Sequence, residues 1–449
     1  ILDLGYTDGY KNTSTTKHSG DKSHLFLEFV KNFNFDDKFK NSLTVKTQTV
    51  SHDKYLKLYK IDSTLVDYNS DTIENSISFT SETEDFFLGF NSSVYETLKE
   101  YNNDKYEYIL PEITFGTNLF SNNVLGNLDL QSNFKVRNFD TNKTTKFFIN
   151  DFDWNIRNFF LDNGVKTKLR GKLKNVNYET KNVENFKTDT TNEIYGAIGL
   201  LSELDLFKNT NVSDKQFLTP KMLIRYAPGK MRNEKTGSKI DTNNIFSLDR
   251  LNNENNFESG LNATVGFDYE IDTTNTNFNF SAGQIFNQKE NKYMPDKTSL
   301  NEKVSDFVGS TSLNIQEKLE INYDFSLDQN YNDFNYNEIS TKMNLEYLNF
   351  DFTFLEERKH IGNQKYFSTN INLNRGENGK LSFGTKRNLI TDSAEYYDLS
   401  YEYLNDCLRA GLVYRREFYN DSELEPENSL MFKITLIPFG NINSPSISQ

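Results

Sequence analysis

The chain has 449 residues with 50 basic against 64 acidic side chains, a net charge of −14, which excludes a nucleic-acid partner because phosphate binding needs a basic surface. Aromatic residues make up 14% of it while all hydrophobic residues reach only 36%, too aromatic for disorder and too polar to enclose an ordinary core of this size. No run approaches the roughly 18 apolar residues of a transmembrane helix, and one cysteine, Cys407, rules out an internal disulfide framework or a multi-cysteine metal site.

The chain opens at Ile1 without an initiator Met and without a charged segment followed by an apolar one, so it reads as a fragment or a processed chain. His18, His24, His52 and His360 are scattered with no ligand spacing. Strict alternation begins to be clear at Leu261, Ala263, Val265, Phe267, Tyr269 and Ile271, interleaved with Asn262, Thr264, Gly266, Asp268 and Glu270. It recurs at Leu319, Ile321, Tyr323, Phe325 and Leu327, and at Leu430, Phe432, Ile434 and Leu436. A period of two is a strand with one apolar and one polar face; a helix would space its apolar residues by three and four.

Breaks in the pattern alternate in length. Short turns are expected at 161–164, 272–275, 316–317, 348–349, 376–379 and 404–406. Long polar loops are expected at 228–258, 287–302, 329–337, 359–364, 388–393 and 421–428. Short turns on one rim and long loops on the other predict a large antiparallel transmembrane β-barrel of about 22 strands over residues 1–440, with 441–449 a C-terminal tail. Strands of about ten membrane-spanning residues then use about half the chain. A barrel this wide holds water, a plug or a substrate, and its wet lumen explains the polarity of every second residue. The aromatics suit interfacial girdles. A soluble solenoid, propeller or sandwich array would also alternate, but would show a fixed repeat, and none is present.

The segment 401–440, YEYLNDCLRAGLVYRREFYNDSELEPENSLMFKITLIPFG, resembles the end of the lipopolysaccharide-assembly LptD (OstA) family in its alphaproteobacterial form. The resemblance lies in the NDC turn at 405–407, YRREFY at 414–419, LEPENS at 424–429 and ITLIPFG at 434–440. PKMLIRYAPG at 220–229, IFSLDRLN at 245–252 and SAGQIFNQKENKYMP at 281–295 resemble it too. The resemblance implies a barrel of about 26 strands in the Gram-negative outer membrane. It would take lipopolysaccharide from a periplasmic bridge protein (LptA) and release it to the outer leaflet through a lateral seam. A lipoprotein (LptE) would plug the barrel, and a periplasmic jelly-roll would precede it. The jelly-roll and about four strands are missing at the N-terminal end, so only the C-terminal half of the seam can be placed.

If the last strand ends in the periplasm, Cys407 lies on a periplasmic turn, and a lone thiol in an oxidising compartment points to a partner outside this chain. The resemblance implies a disulfide to the N-terminal domain; a free, part-buried thiol is the alternative. The resemblance makes 429–439 the seam strand, with Leu430, Phe432, Ile434 and Leu436 toward lipid; the residues alone describe an ordinary closing strand. Alternation turns Glu320, Asn322, Asp324, Ser326, Arg409, Arg415 and Lys433 into the lumen, a hydrophilic wall for charged sugars and phosphates or the wall of any water-filled barrel. Glu423, Glu425 and Glu427 form an acidic outer loop, suited to calcium or magnesium near lipid phosphates or simply solvated. No phosphate-binding loop, nucleophile elbow or zinc-protease helix occurs, so no enzyme and no cofactor is expected. The competing functions are a plugged nutrient-uptake receptor, a large diffusion porin and a structural or adhesive surface barrel.

Overall fold

The structure, a computed structural model, describes the chain except residues 9–20, 35–37, 60, 62–63, 68–69, 100–103, 157, 162, 210–213, 236, 238, 252, 359–361, 377, 406–407, 418–427, 437–439, 444–446 and 449. In chain order the strands are β1 (Leu2–Asp8), β2 (Asp21–Phe33), β3 (Lys40–Val50), β4 (Thr72–Glu82), β5 (Phe86–Thr97), β6 (Tyr106–Asn122), β7 (Gly126–Phe139), β8 (Lys143–Asn155), β9 (Phe159–Phe160), β10 (Lys166–Lys181), β11 (Thr191–Glu203), β12 (Leu206–Asn209) and β13 (Lys215–Ala227). They continue as β14 (Gly260–Asp272), β15 (Thr276–Asn287), β16 (Phe307–Ile315), β17 (Leu319–Leu327), β18 (Phe334–Asn344), β19 (Leu348–Glu357), β20 (Gln364–Arg375), β21 (Gly379–Asn388), β22 (Ser393–Leu404), β23 (Leu408–Glu417), β24 (Asn428–Leu436), β25 (Gly440–Asn443) and β26 (Ile447–Ser448). The one α-helix among the described residues, α1 (Tyr55–Tyr59), lies between β3 and β4.

All 26 segments belong to one antiparallel sheet. Four of them, β9, β12, β25 and β26, span two to four residues, which leaves 22 long staves. The barrel expected from the alternation is therefore present, because closing the ladder strand by strand is how an extended backbone satisfies its polar groups in lipid. The turn expected at 348–349 lies at 345–347, and Leu348 and Asn349 already pair in β19.

Local chemistry fixes several turns. Gln316 and Glu317 both adopt positive φ, 53° and 56°, the left-handed pair a tight right-twisted hairpin needs between β16 and β17. Gly126 opens β7 at φ 76°, where a Cβ would stand 2.0 Å from the Asn155 carbonyl oxygen, so no larger residue fits. Pro220 sits inside β13 without breaking it. Its neighbour's ladder is interrupted there, β11 pairing only up to Lys221 and β12 only from Leu218 onward, so the missing N–H costs no bond.

The register sorts the faces. Asp129 lies opposite Asp153, Asp153 opposite Lys172, and Lys172 opposite Ala197. On the other face Phe148, Leu173, Ile194, Ile198, Leu200, Met222, Ile224 and Tyr226 are all exposed, a continuous apolar band of the kind lipid covers. The polar face is the lumen.

Candidate functional site

The lumen is not open along its whole wall. Residues 228–259, between β13 and β14, and 288–306, between β15 and β16, pack onto the polar face. Leu248 and Phe257 bury against Phe147, Val176, Tyr178, Tyr195 and Leu223, and Met231, Ile240, Ile245 and Leu251 bury against Ile285, Met294, Leu300 and Val308. The expectation of a polar surface loop at 228–258 is thereby corrected. Its apolar residues are few and cluster at Ile245, Phe246, Leu248 and Leu251 within an otherwise polar stretch, without the period of two that marks the strands, and they become a core only when the barrel wall supplies the other half. Gly199 makes the approach feasible: a Cβ there would stand 2.4 Å from Leu248 Cδ2.

Buried charge latches this loop. Arg225 of β13 is 0% exposed, Arg250 1% and Glu258 3%. Arg225 Nε donates to the Leu248 carbonyl at 2.6 Å, and its Nη2 donates to the Glu258 carbonyl. Arg250 grips the Glu258 carboxylate in bidentate fashion, Nε to Oε2 at 2.8 Å and Nη2 to Oε1, and Asn262 Nδ2 donates to Oε1 at 3.3 Å. Burial alone would raise the Glu258 carboxyl, but Arg225 and Arg250 overcome it and hold it below the usual carboxylate range. Burial raises Asp249 of the same loop, with Lys174 only partly opposing. Lys174 Nζ donates to the Asn253 and Glu254 carbonyls at 2.9 and 3.0 Å. The Arg232 guanidinium donates to Glu193 and lies 4.5 Å from the Phe186 ring centroid and 5.4 Å from that of Tyr178. Between loop and wall a cavity of about 340 Å³ remains, lined by Gln131, Asn133, Asp151, Lys172, Lys174 and Asp249 among others.

Beyond the loop the wall carries the residues singled out in the sequence. Asn322 Nδ2 donates to Glu320 at 2.7 Å, and Asp324 lies opposite Ser310 and Glu338. Ser326 is buried beneath the 288–306 loop and donates to Asp306 at 3.0 Å, so it is not a wetted position. Lys239 of the inserted loop sits 3.2 Å from the Tyr336 ring centroid, and burial lowers its pKa. Arg415 holds Asp398 by two hydrogen bonds of 2.5 Å, and Arg409 lies 3.7 Å from Glu402. Lys433 lies opposite Gly411 in the register.

In β24, Leu430 and Phe432 are 46% and 48% exposed and alternate with Met431 and Lys433; Ile434 and Leu436 occupy the following positions of the same phase. The edge of β24 away from β23 pairs with β25 and β26. Among the described residues no ladder joins β24 to β1. Cys407, Glu423, Glu425 and Glu427 lie outside the described residues.

Besides the Arg225–Arg250–Glu258 latch, sequence reasoning missed a cluster around His24. His24 Nδ1 is 3.1 Å from the Tyr55 hydroxyl, its Nε2 is 3.2 Å from Asp3 Oδ1, and its ring stacks on Phe26 at 4.5 Å. The ring lies over Gly5, where a Cβ would come within 2.2 Å of it. The node ties β1, β2 and α1 together. Asp3 and Tyr55 lie 21 and 31 residues from His24 in the chain, so no local spacing marks the cluster.

A family model described as LptD, LPS transport system D, matches residues 22–401. No curated protein matches the chain. Among solved structures it is similar to the alcaligin outer-membrane receptor FauA from Bordetella pertussis, with 9% identity and a TM-score of 0.41, covering 92% of this chain and 72% of that one. It is also similar to the copper transporter OprC, with 10% identity, a TM-score of 0.39 and coverage of 97% and 71%. A third is the siderophore receptor PirA from Acinetobacter baumannii, with 8% identity, a TM-score of 0.35 and coverage of 97% and 73%.

Proposed function

The chain belongs to the LptD family of lipopolysaccharide transport at the outer membrane, and from that premise we propose that it inserts lipopolysaccharide into the outer leaflet through a barrel that opens laterally at β24. The family is one of transport and assembly, not of enzymes, and it favours this reading over nutrient uptake, passive diffusion or adhesion.

The lateral route is supported by the family assignment and by the place of β24 as the last long stave, which makes nine pairs with β23 and only four and two with the short β25 and β26 on its other edge. An edge held by few pairs can part without breaking the rest. The polar lumen, with Glu320, Asn322, Asp324, Arg409 and Arg415 on its wall, supports passage of a charged sugar and phosphate headgroup, while Leu430, Phe432, Ile434 and Leu436 hold the lipid side for the acyl chains. The loop 228–259 fills the lumen near β8–β14, so the headgroup passes along the β17–β24 side. We assign delivery to the periplasmic bridge protein LptA, plugging to the lipoprotein LptE and the partner of Cys407 to the N-terminal domain.

Photo-crosslinkers placed at Asn322, Arg415 and Met431 of the full-length protein in cells test the route. Lipopolysaccharide adducts are expected at these three positions and not at Ile194 or Ile224 on the far lipid face. Adducts spread evenly around the barrel, or normal surface lipopolysaccharide after depletion of the protein, would refute it.

A further inference from the structure

The cavity between loop 228–259 and the wall has the ladder itself for a floor. Gln131 of β7, Asp151 of β8 and Lys174 of β10 are direct partners in register, so their side chains form one row across three adjacent strands on the lumen face. In the next row Asn133 lies opposite Ile149. Neighbouring strands stand about 4.8 Å apart and same-face residues about 6.8 Å, so the floor is a fixed grid of side chains. Asp249, Asn253 and Glu254 of the loop roof it, and Lys174 Nζ holds the roof by donating to the Asn253 and Glu254 carbonyls. Gln131 is exposed, so the cavity opens toward the lumen at that end.

The chemistry left unmet there selects a ligand. Asp151 Oδ1 is buried and accepts no hydrogen bond, since Lys174 Nζ at 3.8 Å is too far to donate one. A buried acceptor without a donor is costly, and the cost is relieved by a group that brings a hydrogen. An anion does not suit the site. Lys174 is engaged by two carbonyls, Lys172 Nζ donates to Asp153 at 3.3 Å, and Asp151 and Asp249 would repel it. A metal ion does not suit it either, because the Lys174 ammonium, 3.8 Å from Asp151 and 4.0 Å from Asp249, already stands where a cation would bind. What fits is a neutral ligand rich in hydroxyls, each able to give one hydrogen and accept two. The Gln131 amide offers a donor and an acceptor beside the Asp151 carboxylate, and Ile149 offers an apolar surface to the C–H face of a ring. The volume of about 340 Å³ falls among small-ligand pockets, which run from about 300 to 1,000 Å³.

We propose that this cavity is a saccharide-binding site that takes a sugar ring through hydroxyls bonded to Asp151 and Gln131. It lies on the β7–β10 side of the lumen, away from the β17–β24 passage assigned above. Two sources share the chemistry, a sugar of the lipopolysaccharide headgroup and a free glycan. The first rests on the function proposed above; the site itself does not.

The test is calorimetric binding to the full-length protein, purified in detergent with its native partners. The probes are the lipid-free core oligosaccharide of lipopolysaccharide from the same cells and maltoheptaose. At least one is expected to bind saturably. Asp151→Ala is expected to weaken that binding about tenfold or more, as for a lost hydrogen bond to a charged group, and Gln131→Ala about threefold. Asp151→Asn, which keeps an acceptor at the same place, is expected to weaken it less than Asp151→Ala, and Glu320→Gln on β17 not at all. Gln131 is exposed, so its variant keeps the loop docked and decides the matter even where Asp151→Ala loosens the roof. Binding of the core oligosaccharide alone identifies the headgroup as the source, and binding of maltoheptaose, with or without it, identifies a free glycan. No saturable binding of either probe, or binding unchanged in Gln131→Ala, overturns the site. Where lipopolysaccharide adducts fail at Asn322 and Arg415 while a probe still binds, the lateral route falls and the site stands.

Discussion

Replacing Glu258 by Gln removes the one negative charge that two buried guanidiniums share. Arg225 and Arg250 are 0% and 1% exposed, and Arg250 is held to that carboxylate by two hydrogen bonds. Removing one partner of such a set leaves uncompensated charge in a dry site and costs about 3–5 kcal/mol, the range found for broken buried pairs. The cost falls on the docking of 228–259 more than on the sheet, because Arg225 and Arg250 bind loop carbonyls and a loop carboxylate, while the β13–β14 ladder keeps all its pairs. At about 1.4 kcal/mol per decade, 3 kcal/mol raises the population of the undocked loop roughly 100-fold. Limited trypsin digestion of the folded protein reads this directly, since Lys230, Arg232, Lys235 and Lys239 lie in the loop. Cleavage there is expected to accelerate by about that factor while cleavage elsewhere does not change. Protection within twofold of the parent would refute the latch. Its pH dependence follows from the depressed Glu258 carboxyl. Stability from the charged form is present above the ordinary glutamate value of about 4.3 and is lost only as pH falls through the lower folded value, so the loop stays docked at pH 5.

Asp249→Asn is expected to act in the opposite sense. Its carboxyl is raised by burial, so its charge destabilises the docked loop at neutral pH, and that cost fades as pH falls through the raised value; the variant should resist trypsin better at pH 7 and no better at pH 4. Gly199→Ala drives a methyl into Leu248 and is expected to loosen the loop by about 1–3 kcal/mol, seen as faster digestion with an unchanged sheet signal in circular dichroism. His24→Ala removes two hydrogen bonds and a stacked ring that tie β1 to β2 and α1, at a cost of about 2 kcal/mol, and hydrogen exchange should rise in Leu2–Asp8 before any other strand. Arg415→Ala breaks a part-exposed pair and should cost only about 1 kcal/mol in a thermal unfolding midpoint, clearly less than Glu258→Gln.

The amino-acid sequence by itself determined the barrel. A period of two, with lipid on one side and water on the other, is a property of each strand alone, so windows such as 319–327 carry their face assignment without knowledge of a neighbour. The alternating lengths of the connections were legible in the same way, and of the motifs that suggested the family those at 220–229, 245–252 and 281–295 lie within the matched residues 22–401 while those at 405–440 lie beyond them. What only the tertiary structure decided are contacts between segments that have no period of their own. Residues 228–258 read as a long polar loop, and nothing in the sequence singled out Arg225; both acquire their meaning only when Glu258 and Arg250 come beside Arg225 on the wall. Ser326 is buried against Asp306 of a neighbouring loop, a contact that its own strand does not announce. His24 gained Asp3 through the register of β1 on β2 and Tyr55 through the packing of α1 against β2. Strand alternation is local physics and survives in one dimension, whereas the filling of a wide lumen depends on which loops fold inward, and curvature sets that.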